Sequence, residues 1–183
     1  EGDELIPLRD SSKINSLCEM IEQITFRKVE GRKFRLIGDI VMDRGLSDRL
    51  TLTLLSEILK QLGSDQITML NSNHDLEVFV QIRKNLGLPI PDGYRLGRLD
   101  QMQSGYELIQ LFEDAPEPET VLVDMYKEHL GQLKLFDYTV DGEGKVTDVY
   151  THAPVPKTLF LRIKEQCGIE ENADLQQTFD IIN

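Results

Sequence analysis

Apolar positions along the chain switch between a spacing near 3.6 residues and a spacing of two, and the switches mark its elements. After a polar, irregular stretch over 1–10, Ser11 or Ser12 precedes Ile14, Leu17, Ile21 and Ile24, the stripe of a capped amphipathic helix. Phe34, Leu36 and Ile37 form a short β-type run, which Gly38 ends at Asp39. Ser47 or Asp48 is placed to cap a helix with Leu50, Leu54, Leu55, Ile58, Leu59 and Leu62 on one face, and Gly63 stops it. A second strand-like run over 67–70 ends in Asn71, Ser72, Asn73, His74 and Asp75, and Leu76, Val78, Phe79, Ile82 and Leu86 then predict a helix ended by Gly87.

Residues 87–100 read as a Pro- and Gly-punctuated loop, long enough to gate a substrate, whose Arg95 and Arg98 read first as ordinary solvated arginines. A helix over 101–112, with Met102, Tyr106, Ile109 and Phe112 inward, precedes the acidic break DAPEPET. The next helix, over 121–130, carries His129, which reads as a structural histidine, exposed or half-buried. Runs over 134–140 and 145–151, joined by Asp141-Gly142-Glu143-Gly144, predict a β-hairpin whose second strand empties into His152. Pro156 opens a helix with Leu159, Phe160, Ile163 and Cys167 on its stripe, and Asn172 precedes a last one with Leu175, Phe179 and Ile182. The pattern predicts one α/β domain over 1–183, with the runs at Phe34 and Ile67 parallel, the hairpin in a second sheet, and a helical insertion or cap over 87–133.

A chain of 183 residues that is 40% hydrophobic can build one sizeable core. Its formal charge of −12 argues against nucleic acid as a partner, since backbone affinity needs clustered cations. It does not argue against a phosphorylated substrate, because in a metal-assisted site the cations and a single arginine would supply positive charge locally. No apolar stretch approaches the roughly 18 residues of a membrane span, and no basic region followed by an apolar one opens the chain. Cys18 and Cys167 both fall on apolar faces of predicted helices, the place of buried thiols in a reducing cytosol. A soluble, cytoplasmic protein is the expectation.

The two runs at 34–45 and 67–75 share one design: an apolar strand that stops abruptly at polar, ligand-type groups. Asp39, Asp43, Arg44 and a helix start lie together in the first, which suits a phosphate held beside a hard cation. In the second, Asn73 offers a neutral amide oxygen, and beside it stands His74, an imidazole, the side-chain type suited to giving a proton to a leaving oxygen near neutral pH. Either motif alone is ordinary turn and cap vocabulary.

Their order, strand–GD–DRG–helix–strand–NHD, resembles the calcineurin-like metallophosphoesterases, nearest the phosphoprotein phosphatase branch. The resemblance implies a two-sheet sandwich flanked by helices and a site for two divalent metal ions, manganese or iron with zinc. It also implies roles: Asp39 bridges the ions and Asn73 binds one of them, while His74 is the general acid, Asp43 holds His74 and Arg44 binds phosphate. In that branch a hairpin leads to a CHGG motif whose histidine binds metal. Here YTHAP stands in that place and makes His152 a third ligand, against the alternative of a strand-end histidine bonded to backbone. Two departures stand out: GDIVMDRG is one residue longer than the branch's pattern, and NSNHD replaces RGNHE. The spaced form resembles phosphatase effectors translocated by Legionella and its relatives. The first motif would need a histidine where Leu5 stands, so Gly2-Asp3 reads as a loop; the first and last metal motifs would then fall outside 1–183 and leave the site incomplete within it.

The resemblance therefore implies a metal-dependent phosphomonoesterase, a protein phosphatase acting on phosphoserine, phosphothreonine or phosphotyrosine, with a phosphorylated protein as its partner. As an effector it would reach a host cell by a route other than Sec. Two alternatives remain: a hydrolase of small-molecule or dinucleotide polyphosphates, and a non-catalytic interaction domain on a degenerate phosphatase fold.

Overall fold

The computed structural model describes residues 11–45, 47–90, 94, 102–114 and 120–183. Strands β1 (Phe34–Leu36), β2 (Ile67–Leu70) and β3 (Leu133–Lys134) form a parallel sheet in the order β1-β2-β3, with Phe34 opposite Ile67 and Met69 opposite Leu133. Every residue of the central strand β2 is buried, the environment its unbroken Ile-Thr-Met-Leu run calls for. Helix α2 (Asp48–Leu62) carries the chain from β1 back to β2, with α1 (Ser11–Glu22) packed along it. Helix α3 (Asn73–Asn85) follows β2 directly.

A 3₁₀ turn (Gln103–Gly105) leads into α4 (Tyr106–Asp114), and α5 (Thr120–Gly131) then packs on both α2 and α3. These helices close one core with the loop after β1: Val41, Met42, Leu52, Val78, Ile82, Met102, Leu108, Ile109, Leu122, Val123 and Tyr126. No helix among the described residues is long and apolar enough to cross a membrane.

The second sheet is the hairpin of β4 (Asp137–Val140) and β5 (Val146–Tyr150), antiparallel, with an irregularity between Thr139 and Val140. Helices α6 (Lys157–Gln166) and α7 (Leu175–Ile182) supply Phe160 and Phe179, which pack with Phe136 and Tyr138 in an aromatic cluster with ring centroids 5.1–5.9 Å apart. The two sheets are joined by charge. Lys33 Nζ and Arg35 Nε donate to the buried Asp137 carboxylate at 3.0 and 2.5 Å, and the Arg35 guanidinium lies 4.2 Å from the Tyr150 ring centre. Burial pushes the Asp137 carboxyl up, but the Lys33 and Arg35 hydrogen bonds and charges outweigh it and hold the group below the usual carboxylate range.

The structure is thus α/β, with two small sheets flanked by helices, and it departs from expectation at several boundaries. The single strand expected over 134–140 is split: Leu133 and Lys134 join the parallel sheet, and the hairpin strand begins at Asp137. Helix α3 starts at Asn73 rather than after Asp75, so Asn73 and His74 sit in its first turn. Of its expected inward residues, Val78 and Ile82 are buried, but Leu76, Phe79 and Leu86 are exposed, as is Leu17 of α1. Asp174, not Asn172, caps α7. Cys167 is exposed and Cys18 half-buried, so neither is the fully buried thiol its helical position suggested. Gly2-Asp3, Arg95, Arg98 and residues 115–119 of the acidic break lie outside the described residues.

Candidate functional site

Three chain segments deliver the site. The first is the loop that leaves β1. Gly38 adopts φ +73°, and Asp39 and Met42 are also left-handed at φ +51° and +55°. A Cβ on Gly38 would overlap the His152 ring and the Ser72 Cβ, so only glycine lets the three segments approach this closely. The loop is then tied down twice. Asp43 N–H donates to Ser104 Oγ at 2.9 Å, and Ser104 N–H donates to the Asp43 carbonyl at 2.7 Å. Beneath it the buried Asp48 carboxylate accepts from Met42 N–H at 2.9 and 3.1 Å, from the Tyr126 hydroxyl and from Ser104. Burial pushes the Asp48 carboxyl up, against those hydrogen bonds, while burial and the neighbouring Asp48 keep the Tyr126 phenol firmly a donor.

The second segment is the first turn of α3. Ser72 is its N-cap, and Ser72 with Asp75 forms a capping box: Ser72 N–H and Oγ–H donate to Asp75 Oδ2 at 2.8 and 2.7 Å, and Asp75 N–H returns to Ser72 Oγ at 3.4 Å. Asn73 and His74 are thereby held at a helix N-terminus, where backbone N–H groups and the helix dipole favour an anion. The third segment is the exit of the hairpin, which brings His152 back against the other two.

Five of the six candidate residues meet. His152 Nδ1 donates to the Ile37 carbonyl at 2.9 Å, which fixes the proton on Nδ1 and leaves the Nε2 lone pair facing Asn73 Oδ1 at 3.2 Å and Asp39 Oδ1 at 3.5 Å. His74 Nδ1 lies 3.9 Å from both Asp39 Oδ1 and Asp43 Oδ1, and it is buried without a hydrogen-bond partner among the described residues. The sixth, Arg44, stands exposed on the loop, with no ion pair to the cluster among the described residues.

With the Asn73 amide so oriented, an imidazole nitrogen, an amide oxygen and a carboxylate oxygen confront one another with no hydrogen between them. A cation resolves the conflict, either a second proton on His152 or a metal ion. The N,O,O donor set, with one full negative charge, fits a divalent first-row metal. Among the described residues no three His, Cys, Asp or Glu side chains are grouped as a metal cluster, and here the third donor is an amide. His152 also makes the backbone hydrogen bond of a strand-end histidine, and the two readings prove compatible because each uses a different ring nitrogen.

Sequence reasoning missed the roles of four residues that hold this arrangement. Ser72 and Asp75 have the S-x-x-D spacing of a capping box, a signal available in the sequence. Asp48 was legible only as a cap candidate, although Ser47 takes the N-cap position and the Asp48 side chain turns inward to Tyr126. His129, expected exposed or half-buried, is buried and pairs through Nε2 with Asp75 Oδ1 at 2.8 Å, across 54 residues of chain that leave no local trace.

No curated protein matches the chain significantly. Among solved structures, the crystal structure of the phosphatase domain from the Legionella effector WipB shares its fold, with a TM-score of 0.71 and 23% identity over 96% of this chain. The chain spans 60% of the length of that solved domain chain. The sequence profile described as the WipA-like phosphatase domain matches residues 33–183, which include the loop after β1, the first turn of α3 and the hairpin exit. The chain belongs to the WipA-like phosphatase domain family.

Proposed function

We propose that the chain is a metal-dependent phosphomonoester hydrolase, a protein phosphatase of the phosphoprotein phosphatase branch of calcineurin-like metallophosphoesterases. The observation that carries this reading is the convergence of Asp39, Asn73 and His152 on one point, with His74 and Asp43 beside it. Membership in the WipA-like phosphatase domain family supports it. The shared fold with a Legionella effector domain supports the further reading that this chain, too, acts as a translocated effector on a phosphorylated host protein.

In this reading Asp39, Asn73 and His152 would hold metal, and Asp39 is the carboxylate whose Oδ1 stands 3.5 Å from His152 Nε2 and 3.9 Å from His74 Nδ1. Divalent cations there, manganese first among them, would polarise the phosphoryl group and lower the pKa of the attacking water. The substrate phosphate lies at the α3 N-terminus, and Arg44, free of ion pairs to the cluster, folds onto its oxygens. Hydrolysis forms a bond from the water oxygen to phosphorus as the ester P–O bond breaks. His74 gives the departing oxygen its proton and regains one from solvent. Asp43 orients the His74 ring, after a small rotation closes the 3.9 Å gap.

The test is turnover of p-nitrophenyl phosphate with added manganese, before and after chelation, for the wild type, Asp39→Asn and His74→Asn. Wild-type turnover abolished by the chelator, and about 10²-fold or greater losses in both variants, are the expected results. Asp39→Asn should fold as well as the wild type, because asparagine tolerates the φ of +51° at this position. Wild-type turnover that survives chelation, or that is no faster than the variants', overturns the reading.

A further inference from the structure

We infer that His129 is a positioning residue for the site, acting through Asp75 on the helical turn that carries Asn73 and His74. Asp75 divides its carboxylate between two tasks. Oδ2 serves the capping box with Ser72, and Oδ1 is taken by His129 Nε2 at 2.8 Å. The Asp75 side chain is fully buried and that of His129 is 2% exposed, so no solvent competes for either. A carboxylate gripped at both oxygens cannot rotate, and the cap it makes is locked to α5, the helix whose Tyr126 also holds Asp48 beneath the β1 loop.

The consequence reaches the other two segments. The Ser72 Cβ lies where a side chain on Gly38 would stand, and the His152 ring occupies the same space. The cap residue is therefore wedged against the β1 loop and the hairpin exit together. Removing the His129 donor leaves Asp75 Oδ1 buried and unpaired, a state relieved only by protonating the carboxylate or turning it. Either one loosens the capping box on which Asn73 and His74 depend. His129 is also a costly residue for mere packing: its Nδ1 is buried with no partner among the described residues, and leucine would fill similar space without a polar atom to satisfy.

The kinetic arm of the test rests on the phosphatase reading; the spectroscopic arm does not. The substitutions are His129→Gln, His129→Asn and His129→Leu, because glutamine would keep an amide N–H near the Nε2 position, whereas asparagine is too short and leucine has no donor. The chain holds three histidines, so the rings of His74 and His152 can be followed individually by NMR. His129→Asn and His129→Leu should shift both ring signals and lower kcat about 10- to 100-fold, with KM little changed and more manganese needed for half-activation. His129→Gln should return both readouts close to wild type. If His129→Leu does not fold, the contrast between asparagine and glutamine decides. A folded His129→Asn with unmoved His74 and His152 signals overturns the inference, as does loss of activity equal in the glutamine and asparagine variants. An inactive wild type would overturn the phosphatase reading and leave the NMR contrast to decide the role of His129.

Discussion

At Gly38 a single hydrogen atom in place of a side chain determines whether the site can assemble. Its φ of +73° is one that L-residues adopt at a cost, and any Cβ there overlaps the His152 ring and Ser72. Gly38→Ala therefore meets two penalties, left-handed backbone strain and displacement of His152 from the Ile37 carbonyl. The expected loss is on the order of 1–3 kcal/mol of stability by chemical denaturation. Turnover should fall more steeply than stability, by about 10²-fold, since a displacement near 1 Å at a reacting centre costs that much. Wild-type turnover in a folded Gly38→Ala protein would mean that His152 does not need its present seat.

Elements were legible where the sequence carried both a periodic run and a stop signal. The runs at Phe34 and Ile67 ended at Gly38 and Asn71, and the hairpin was announced by Asp141-Gly142-Glu143-Gly144. The division of 134–140 between two sheets was not legible, because pairing of Leu133 with Met69 is decided by the sheet edge and not by local pattern. The same limit hid Asp48 and His129, whose partners Tyr126 and Asp75 lie on other elements. The residues that converge, Asp39, Asp43, Asn73, His74 and His152, could be picked out because each follows a strand end whose motif is read in order, whereas Arg44 stands apart from them. What the motifs could not supply is how the elements are held in register. Arg35 does this for the hairpin: it sits in β1, yet its Nε bonds Asp137 of β4, its Nη2 donates to the Tyr138 carbonyl at 3.4 Å, and its guanidinium covers Tyr150 of β5, two residues before His152. Lysine cannot reproduce that planar fork. Arg35→Lys should thus lower turnover about 3- to 10-fold without touching the site, and speed amide exchange in the hairpin. Unchanged exchange at β4 and β5 would refute the clamp.

Across the molecule as a whole, the buried carboxylates Asp137 and Asp48 titrate so as to pull stability in opposite directions. Asp137 is held below its ordinary value near 3.8 by Lys33 and Arg35, in spite of its burial. The unfolded chain therefore binds that proton first as pH falls, and the contribution, complete above about 3.8, is lost as pH drops through the lower folded value. Asp48 is raised above 3.8 by burial, so the folded protein takes up its proton first, and stability falls as pH rises from 3.8 through the folded value. Chemical denaturation of wild type, Asp137→Asn and Asp48→Asn across pH 3 to 7 separates the two. At neutral pH Asp137→Asn should cost roughly 1–2 kcal/mol, a modest figure because Lys33 remains partly open to solvent screening. That deficit should shrink as pH falls below about 3.8 and vanish only below the lower folded value, whereas the wild type should gain on Asp48→Asn as acid neutralises the buried carboxyl. A deficit of Asp137→Asn that does not shrink as pH falls would show that its ion pairs to Lys33 and Arg35 contribute nothing through charge to the joining of the two sheets.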